Sequence, residues 1–433
     1  MLRRRKIFYG WWIILVATIL NGFAGATFFL GFTVFFNPIR KHFGWTAAKT
    51  SIAFVFQRVQ SGIASPIVGF LVDRVGARKL MIPGWIAIAT GFLWMSNINS
   101  LGEFIGSFLL IAIGISFAVP VTISAIVANW FDKKRSRAMT IVMVGLDAGA
   151  LLIPVIALSI GQLGWRQSLV IIGICLGVIG IPLSLVFRHK PEQYGYLPDG
   201  QTRASVNEAT DVPDRHSPSE VVEQDSVSSA VNFTAKAALK TRAFWLICFA
   251  FLFQMTSISA VTVHIAPYLE SVGFTAVIAA TWVMALNLCV PIGRLGFGFA
   301  GDFTNKRYLM AVGMALQALG LFLYSFISAD RTWLVVLFLL TYAIGHGGPI
   351  ILRISLQADY FGTRYFGTIF GLISTVSMLG GLASPYIAGL IFDVTGSYSQ
   401  AWQLFALVAI PAIPLILLAK PPRAKDARVP GIE

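Results

Sequence analysis

Apolar runs of roughly 20 residues or more, the length that carries an α-helix across a bilayer's hydrocarbon core, recur along the whole chain with short polar or basic clusters between them. They predict membrane helices at 9–37, 48–72, 79–98, 103–128, 137–161 and 165–187, and a second set at 243–268, 276–301, 308–328, 332–358, 366–392 and 400–419. The first run follows the basic stretch Met1 to Lys6, but from Phe8 to Phe36 it is too long for the core of a signal peptide, so it reads as the first membrane helix. Between the sets, Arg188 to about Lys240 holds Pro191, Pro198, Pro213 and Pro218 among many Ser, Asp and Glu, which reads as a flexible linker because it cannot bury a core. Its end, Phe233 to Arg242, is expected to form a short surface helix. The expected architecture is an all-α membrane protein of twelve transmembrane helices. It divides into an N-terminal six-helix bundle (1–188), a cytoplasmic linker (189–240), a C-terminal six-helix bundle (241–420) and a cytoplasmic tail (421–433).

Composition supports this class. Of the 433 residues 56% are hydrophobic and 12% charged, with a mean hydropathy of +0.76, whereas soluble domains carry about 25% charged residues. So little polar surface cannot solvate a globule of this size, and the apolar residues must face lipid in a multi-pass cell-membrane protein. The net charge of +14 raises nucleic-acid binding, but the basic residues sit in clusters between apolar runs, as membrane topology demands. With the N-terminus inside, the cytoplasmic segments hold roughly 25 basic residues and the outer ones about 5, namely Arg40, Lys41, Lys49, Arg166 and Arg331. Both termini are therefore expected in the cytoplasm. Cys175, Cys248 and Cys289 lie inside apolar runs and read as small core residues, with no disulfide or metal role.

The two halves repeat one another. Gly69, Phe70, Asp73, Arg78, Leu80 and Met81 match Gly298, Phe299, Asp302, Arg307, Leu309 and Met310 at an offset of 229. Gly149, Leu151, Pro154, Ile156 and Ala157 match Gly380, Leu382, Pro385, Ile387 and Ala388 at an offset of 231. A duplicated six-helix unit is the plan of a transporter whose halves rock about a site near the bilayer midplane.

The stretch Gly69-x-Leu71-x-Asp73-Arg74-x-Gly76-x-Arg78-Lys79 resembles the signature loop of the major facilitator superfamily. There Gly69 would allow close helix approach, and Asp73 would cap or pair across a cytoplasmic gate together with Arg74, Gly76, Arg78, Asp302 and Arg307. Within that superfamily the chain resembles monocarboxylate transporters and oxalate:formate antiporters. The resemblance rests on Tyr9-Gly10-Trp11-Trp12, on Trp130-Phe131-x-x-Lys134-Arg135-x-x-Ala138 running on to Gly145 and Gly149, on His264-Ile265-x-Pro267-Tyr268-Leu269 and on Asp359-Tyr360-Phe361-Gly362. The lysine that the animal carriers bear in helix 1 falls at Leu30, so proton coupling through that residue does not carry over.

Ionisable groups inside membrane spans are costly and mark transport pathways. Arg294 leads, because it lies about 12 Å into its helix, its guanidinium can grip a carboxylate with two donors, and it resembles the helix 8 arginine of the monocarboxylate carriers, which implies substrate binding. Arg58 and Arg353 are also deep in apolar runs. His346, within Gly345-His346-Gly347-Gly348, is expected where glycines thin the helix and admit a ligand, with Asn287 and Tyr342 as further polar liners. Asp147 and His264 are the candidates for a coupled proton, and Asp147 is also a candidate counter-ion to Arg58 or Arg294. The glycines of Gly296-x-Gly298-x-x-Gly301 read as helix-packing residues rather than a dinucleotide loop, since no strand precedes them. The many phenylalanines read as lipid-facing or packing residues. The expected function is a monomeric secondary transporter, not an enzyme, needing no cofactor or metal. It would move small lactate- or pyruvate-like organic anions with protons by alternating access. An organic-anion exchanger, or an exporter of larger amphipathic compounds, is the alternative.

Overall fold

A computed structural model describes residues 8–131, 135–188, 233–362 and 366–422, without the side chains of 65, 66, 73, 120, 128, 135–137, 302, 366 and 367. The linker 189–232 and the side chains of Asp73 and Asp302 thus lie outside the described residues. The first half contains α1 (Tyr9–Ala24), α2 (Thr33–Phe43), α3 (Ala47–Val75), α4 (Ala77–Met95), α5 (Leu101–Ala118), α6 (Pro120–Trp130), α7 (Arg135–Ala148), α8 (Ile153–Leu163) and α9 (Trp165–Ser184). The second contains α10 (Ala235–Leu239), α11 (Arg242–Ser271), α12 (Ala276–Phe303), α13 (Lys306–Tyr324), α14 (Trp333–Phe338), α15 (Ile344–Phe361), α16 (Phe366–Thr395), α17 (Ser399–Ala409) and α18 (Ala412–Leu418). Ten helical stretches among the described residues are long and apolar enough to cross a membrane. Helices α3 and α4 occupy the second and third predicted spans without being among those ten.

Chain direction reverses where backbone geometry demands glycine. Gly44, Gly164, Gly273 and Gly396 hold positive φ at one end of the bundle, and Gly76 and Gly362 at the other. Gly76, at φ 89° and ψ 147°, sits in a region that side chains disfavour, and it separates α3 from α4. The repeat-related turn before α13 uses a cap instead, with the Asn305 side chain accepting from the Arg307 amide. Helix starts elsewhere are capped by Thr46, Ser100, Thr234, Thr241 and Thr275, each accepting an amide of the first turn. The short helix expected at the linker's end is α10: Ala237 and Ala238 pack inward, Lys236 and Leu239 are exposed, and the Phe233 amide bonds the Phe361 carbonyl at the end of α15.

The repeat is visible in the packing. A side chain on Gly149 would overlap the Gly22 carbonyl of α1, and one on Gly380 would overlap the Leu252 carbonyl of α11. The two glycines are partners in the sequence repeat, and so are the helix pairs they bring together, α1 with α7 and α11 with α16. Small residues are what lets membrane helices approach to backbone contact. The α11–α16 interface therefore rests on Gly380, whereas Gly371 of the same helix faces open space.

Alanine at Gly380 must push α11 and α16 apart and should lower stability by about 1–3 kcal/mol. Alanine at Gly371 should be neutral or stabilising by up to about 1 kcal/mol, through helix propensity alone. Thermal unfolding of both purified variants in detergent checks the pair.

Candidate functional site

The helices before the linker pack among themselves, as do those after it. The two groups meet along α3 with α16, α2 with α11, and α8 with α12. Among the described residues one ion pair joins the groups: Arg294 Nη1 of α12 lies 2.7 Å from Asp147 Oδ2 of α7. Local sequence explains the placement. Gly145 of α7 and Gly149, which opens the tight turn Gly149–Leu152 after it, are one helical turn apart and both press this segment onto α1, where their side-chain positions are filled by Thr18 and Gly22. Asn21 fastens the same contact by donating to the Val142 carbonyl at 2.8 Å. A residue two positions from each glycine points roughly 200° away, so Asp147 turns from α1 toward α12. On the other side Gly347 of α15 gives the Arg294 side chain its room, since a Cβ there would stand 3.2 Å from Arg294 Cγ. The pair is unequally sheltered: the Asp147 side chain is 6% exposed and that of Arg294 27%. Arg294 Nε is buried without a hydrogen-bond partner among the described residues.

Beside the interface lie two cavities that share Thr262 of α11 in their walls. The first, of about 40 Å³, is walled by phenylalanines together with Gln57 and Arg58 of α3. The second, of about 30 Å³, is lined by Leu30, Asn287, Tyr342 and His346 among others. Each borrows an irregular turn. The π-helical stretch Gly25–Phe29 places Phe28 and Phe29 on the first, and the π-helical stretch Leu339–Ala343 places Tyr342 on the second. Such bulges often occur at functional sites because they re-aim side chains within a helix. Arg58 has no ion pair, hydrogen bond or ring contact among the described residues, whereas Arg294 has its carboxylate.

Toward the Gly44 end the two groups are closed against each other by polar contacts. The Asp393 carboxylate of α16 accepts from the Ala47 and Ala48 amides at 2.7 and 2.8 Å, filling the start of α3 from across the interface. Asn37 donates to Glu270 at 2.8 Å, and Thr33 to the Val263 carbonyl at 2.8 Å. His264, fully buried, contacts Ser51 of the other group at 3.1 Å, Tyr398 at 3.1 Å and the Pro385 carbonyl at 2.8 Å. The histidine is thus a strut in this closure rather than a member of either cavity.

Other sequence expectations are corrected by placement. Arg353, like Arg294 and Asp147, lines neither cavity; it donates to Ser374 at 2.9 Å and lies between the rings of Phe251 and Phe370. The glycines flanking His346 admit neighbouring helices, not a ligand: Gly345 meets Gly313 and Gln317, Gly347 meets Val290 and Arg294, and Gly348 meets Phe297. Gly69 is not at a close approach, as its nearest neighbour would be Val121 at 3.9 Å. Of the Gly296, Gly298 and Gly301 set, only Gly301 packs tightly, against Leu352. Arg74 lies over the Phe70 ring of its own helix at 4.4 Å, Arg78 is exposed, and Arg307 reaches the Leu417 carbonyl at 3.4 Å. Cys248 is buried but Cys175 is exposed, so the cysteines are not uniformly core residues. Asp393 and Glu270 escaped the sequence reading although a signal exists. Both stand near the C-terminal end of a helix, where the helix dipole disfavours an acid, which points to a partner outside their own helix.

The model of the Major Facilitator Superfamily matches residues 14–385 and 290–433 of this sequence. The chain belongs to the major facilitator superfamily. As a member it is a multi-pass membrane transporter, and the repeat and the paired helix groups are the superfamily's architecture. Among its relatives is an uncharacterised MFS-type transporter of Bacillus subtilis, 25% identical, with 89% of this chain and 90% of that protein aligned. Monocarboxylate transporter 12 of Xenopus laevis is 26% identical over 90% of this chain and 84% of its own, and an oxalate:formate antiporter of Oxalobacter formigenes is 23% identical over 87% and 85%. A crystal structure of a bacterial homologue of the human lysosomal transporter Spinster, inward-facing and occupied, shares the fold with a TM-score of 0.74 at 15% identity, covering 98% and 99% of the two chains.

In a superfamily transporter the closed end must open. Asp393→Ala removes the acceptor of two helix-start amides and should loosen the Gly44 end. A cysteine placed at buried Phe36, in an otherwise cysteine-free background, should then react several-fold faster with a membrane-impermeant thiol reagent than it does with Asp393 intact.

Proposed function

We propose that this transporter carries small monocarboxylates across the membrane together with a proton, by alternating access. The reading rests on the Arg294–Asp147 ion pair, which spans the two groups of helices that must move past each other. Taking a carboxylate and a guanidinium out of water costs several kcal/mol per ion, and stripping one partner from such a pair leaves a buried charge at a cost of about 3–5 kcal/mol. The pair therefore resists separation until something replaces one member. A proton on Asp147 removes the attraction, and an incoming carboxylate can take Asp147's place against the planar guanidinium. Proton and anion then enter together, and the net charge at the pair is the same empty and loaded. The names of the monocarboxylate and oxalate:formate relatives agree with an organic anion as cargo.

A second reading, anion exchange, is favoured by Arg58. A cavity cation without a carboxylate partner makes the empty carrier positively charged there, so that only the anion-loaded form crosses readily.

Uptake into proteoliposomes separates the two. Arg294→Lys should cut proton-gradient-driven uptake of radiolabelled lactate or pyruvate at least a hundredfold while the protein still purifies as a monodisperse species; normal uptake by this variant refutes the assignment. Asp147→Asn should abolish the response to an imposed pH gradient yet keep exchange of internal for external anion. Wild-type uptake that needs internal anion and ignores the gradient establishes exchange instead.

A further inference from the structure

Arg58 is a cavity cation that the ion-pair mechanism leaves unused. It stands roughly 16 Å along α3 from its start, on the wall of the first cavity. A guanidinium keeps its proton in proteins, so its charge must be answered, or carried bare at a cost that a water-poor setting raises. No carboxylate, carbonyl or ring among the described residues answers Arg58. The described acids of the membrane helices are committed elsewhere: Asp147 to Arg294, Glu270 to Asn37, Asp393 to the first amides of α3, Asp359 to Lys306 and Glu103 to the Asn99 amide. The fixed anions being spoken for, the charge that neutralises Arg58 has to be a mobile one.

The wall decides which anion fits. The cavity offers about 40 Å³, where a water molecule needs about 10–15 Å³ and a benzene ring sits in about 150 Å³. It therefore takes roughly one to three water-sized atoms and, in this conformation, no lactate-sized or aromatic body. Its donors are few. The Thr33 and Thr262 hydroxyls spend their hydrogens on the Val263 and Ile258 carbonyls, and Gln57 spends one amide hydrogen on Ser61. What remains is the guanidinium and the second Gln57 amide hydrogen. Most of the other wall is phenylalanine, braced with Phe32 edge-on to Phe108 at 4.8 Å and Phe54 against Phe108 at 5.0 Å. The cost of stripping water from an ion rises steeply with its charge and falls with its size. A doubly charged ion such as sulfate needs more donors than this wall has, whereas a spherical, weakly hydrated single charge does not. We infer that Arg58 binds a chloride-sized monovalent anion when the carrier holds no cargo. The consequence deepens the carrier reading and rests on it. With chloride on Arg58 the carrier returns without a bare charge, so net uptake is open. Without chloride only another cargo anion can serve, and transport becomes exchange.

The test uses the full-length protein purified in detergent in gluconate salts, and the same preparation in liposomes. Chloride and bromide should raise the thermal midpoint saturably at constant ionic strength, and sulfate should not. Crystals grown in bromide should show an anomalous-scattering peak against the Arg58 guanidinium. Arg58→Gln should remove that peak and weaken chloride binding at least tenfold. Arg58→Lys keeps the charge and should retain part of the affinity, and it serves as the readout if Arg58→Gln does not purify as a folded species. Formate, the carboxylate small enough for the same space, is titrated in parallel. A saturable response to formate alone makes Arg58 a cargo subsite and overturns the assignment. So does the absence of a response to either halide, or a halide response that survives Arg58→Gln. In liposomes, gluconate in place of chloride on both sides should cut net proton-driven lactate uptake at least threefold and leave counterflow intact. Net uptake that ignores chloride overturns the role of the ion in the return step. Absence of uptake and counterflow for every carboxylate overturns the carrier reading, while the halide site is decided by the binding data alone.

Discussion

A carboxylate and a guanidinium 2.7 Å apart between two groups of apolar helices are a constraint on every motion those groups can make. Neither ion can leave for lipid, and neither can be left alone in a medium of low polarity. Whatever moves the halves must therefore keep the pair, or exchange one member for an equivalent charge. The surrounding sequence serves that demand. Gly145 and Gly149 draw α7 onto α1, and Gly293 and Gly347 draw α12 onto α15, with the Gly293 site facing the Ile344 backbone. Both charged side chains are thus fixed on rigid, closely packed helices. Backbone-to-backbone packing leaves little slack, so the 2.7 Å separation is a property of the helix arrangement rather than of two long side chains finding each other.

The closure at the Gly44 end works on a different principle. Asp393 and Glu270 are placed against their own helix dipoles and compensated from across the interface, by the first amides of α3 and by the Asn37 amide group. Each acid is better solvated with the halves together than its own helix alone allows, which gives the closed arrangement a polar latch. Opening exposes these groups to water, which can replace the lost hydrogen bonds, whereas separating Arg294 from Asp147 offers no such substitute. The end latch is therefore the part that yields readily, and the central pair is the part that needs a chemical event.

Much of this was legible in the sequence because apolar length and glycine spacing are local properties. The spans and the short helix before α11 come from run lengths. Arg294, Asp147 and Arg58 stand out as charges where lipid-facing residues belong. What could not be read were the partners. Asp147 had two arginines as candidate counter-ions, and only the turn imposed by Gly145 and Gly149 aims it at Arg294. Arg353 looked equivalent to the other two, yet Ser374 and two rings hold it within its own group of helices. Phenylalanine is so common in the chain that Phe29 and Phe54 carried no signal until the π-helical turn and α3 placed them on one cavity. His264 showed the reverse: a titratable residue in a span, whose three contacts make it part of the closure.

The two couplings differ in what becomes of the Arg58 charge. Where a proton and an anion enter together, the chamber carries the same net charge loaded and empty, and Arg58 has to be sheltered equally well on both journeys. Where an anion enters alone, the loaded chamber is neutral and the empty one is not, so the return is blocked unless another anion is taken up. An aromatic wall sharpens this difference. Phenylalanines shield the cavity from water, and in a less polar setting an uncompensated guanidinium costs more to carry. The same rings then penalise the empty carrier. The tendency toward exchange is, on this arrangement, a consequence of one feature: a lone cation set in an apolar wall.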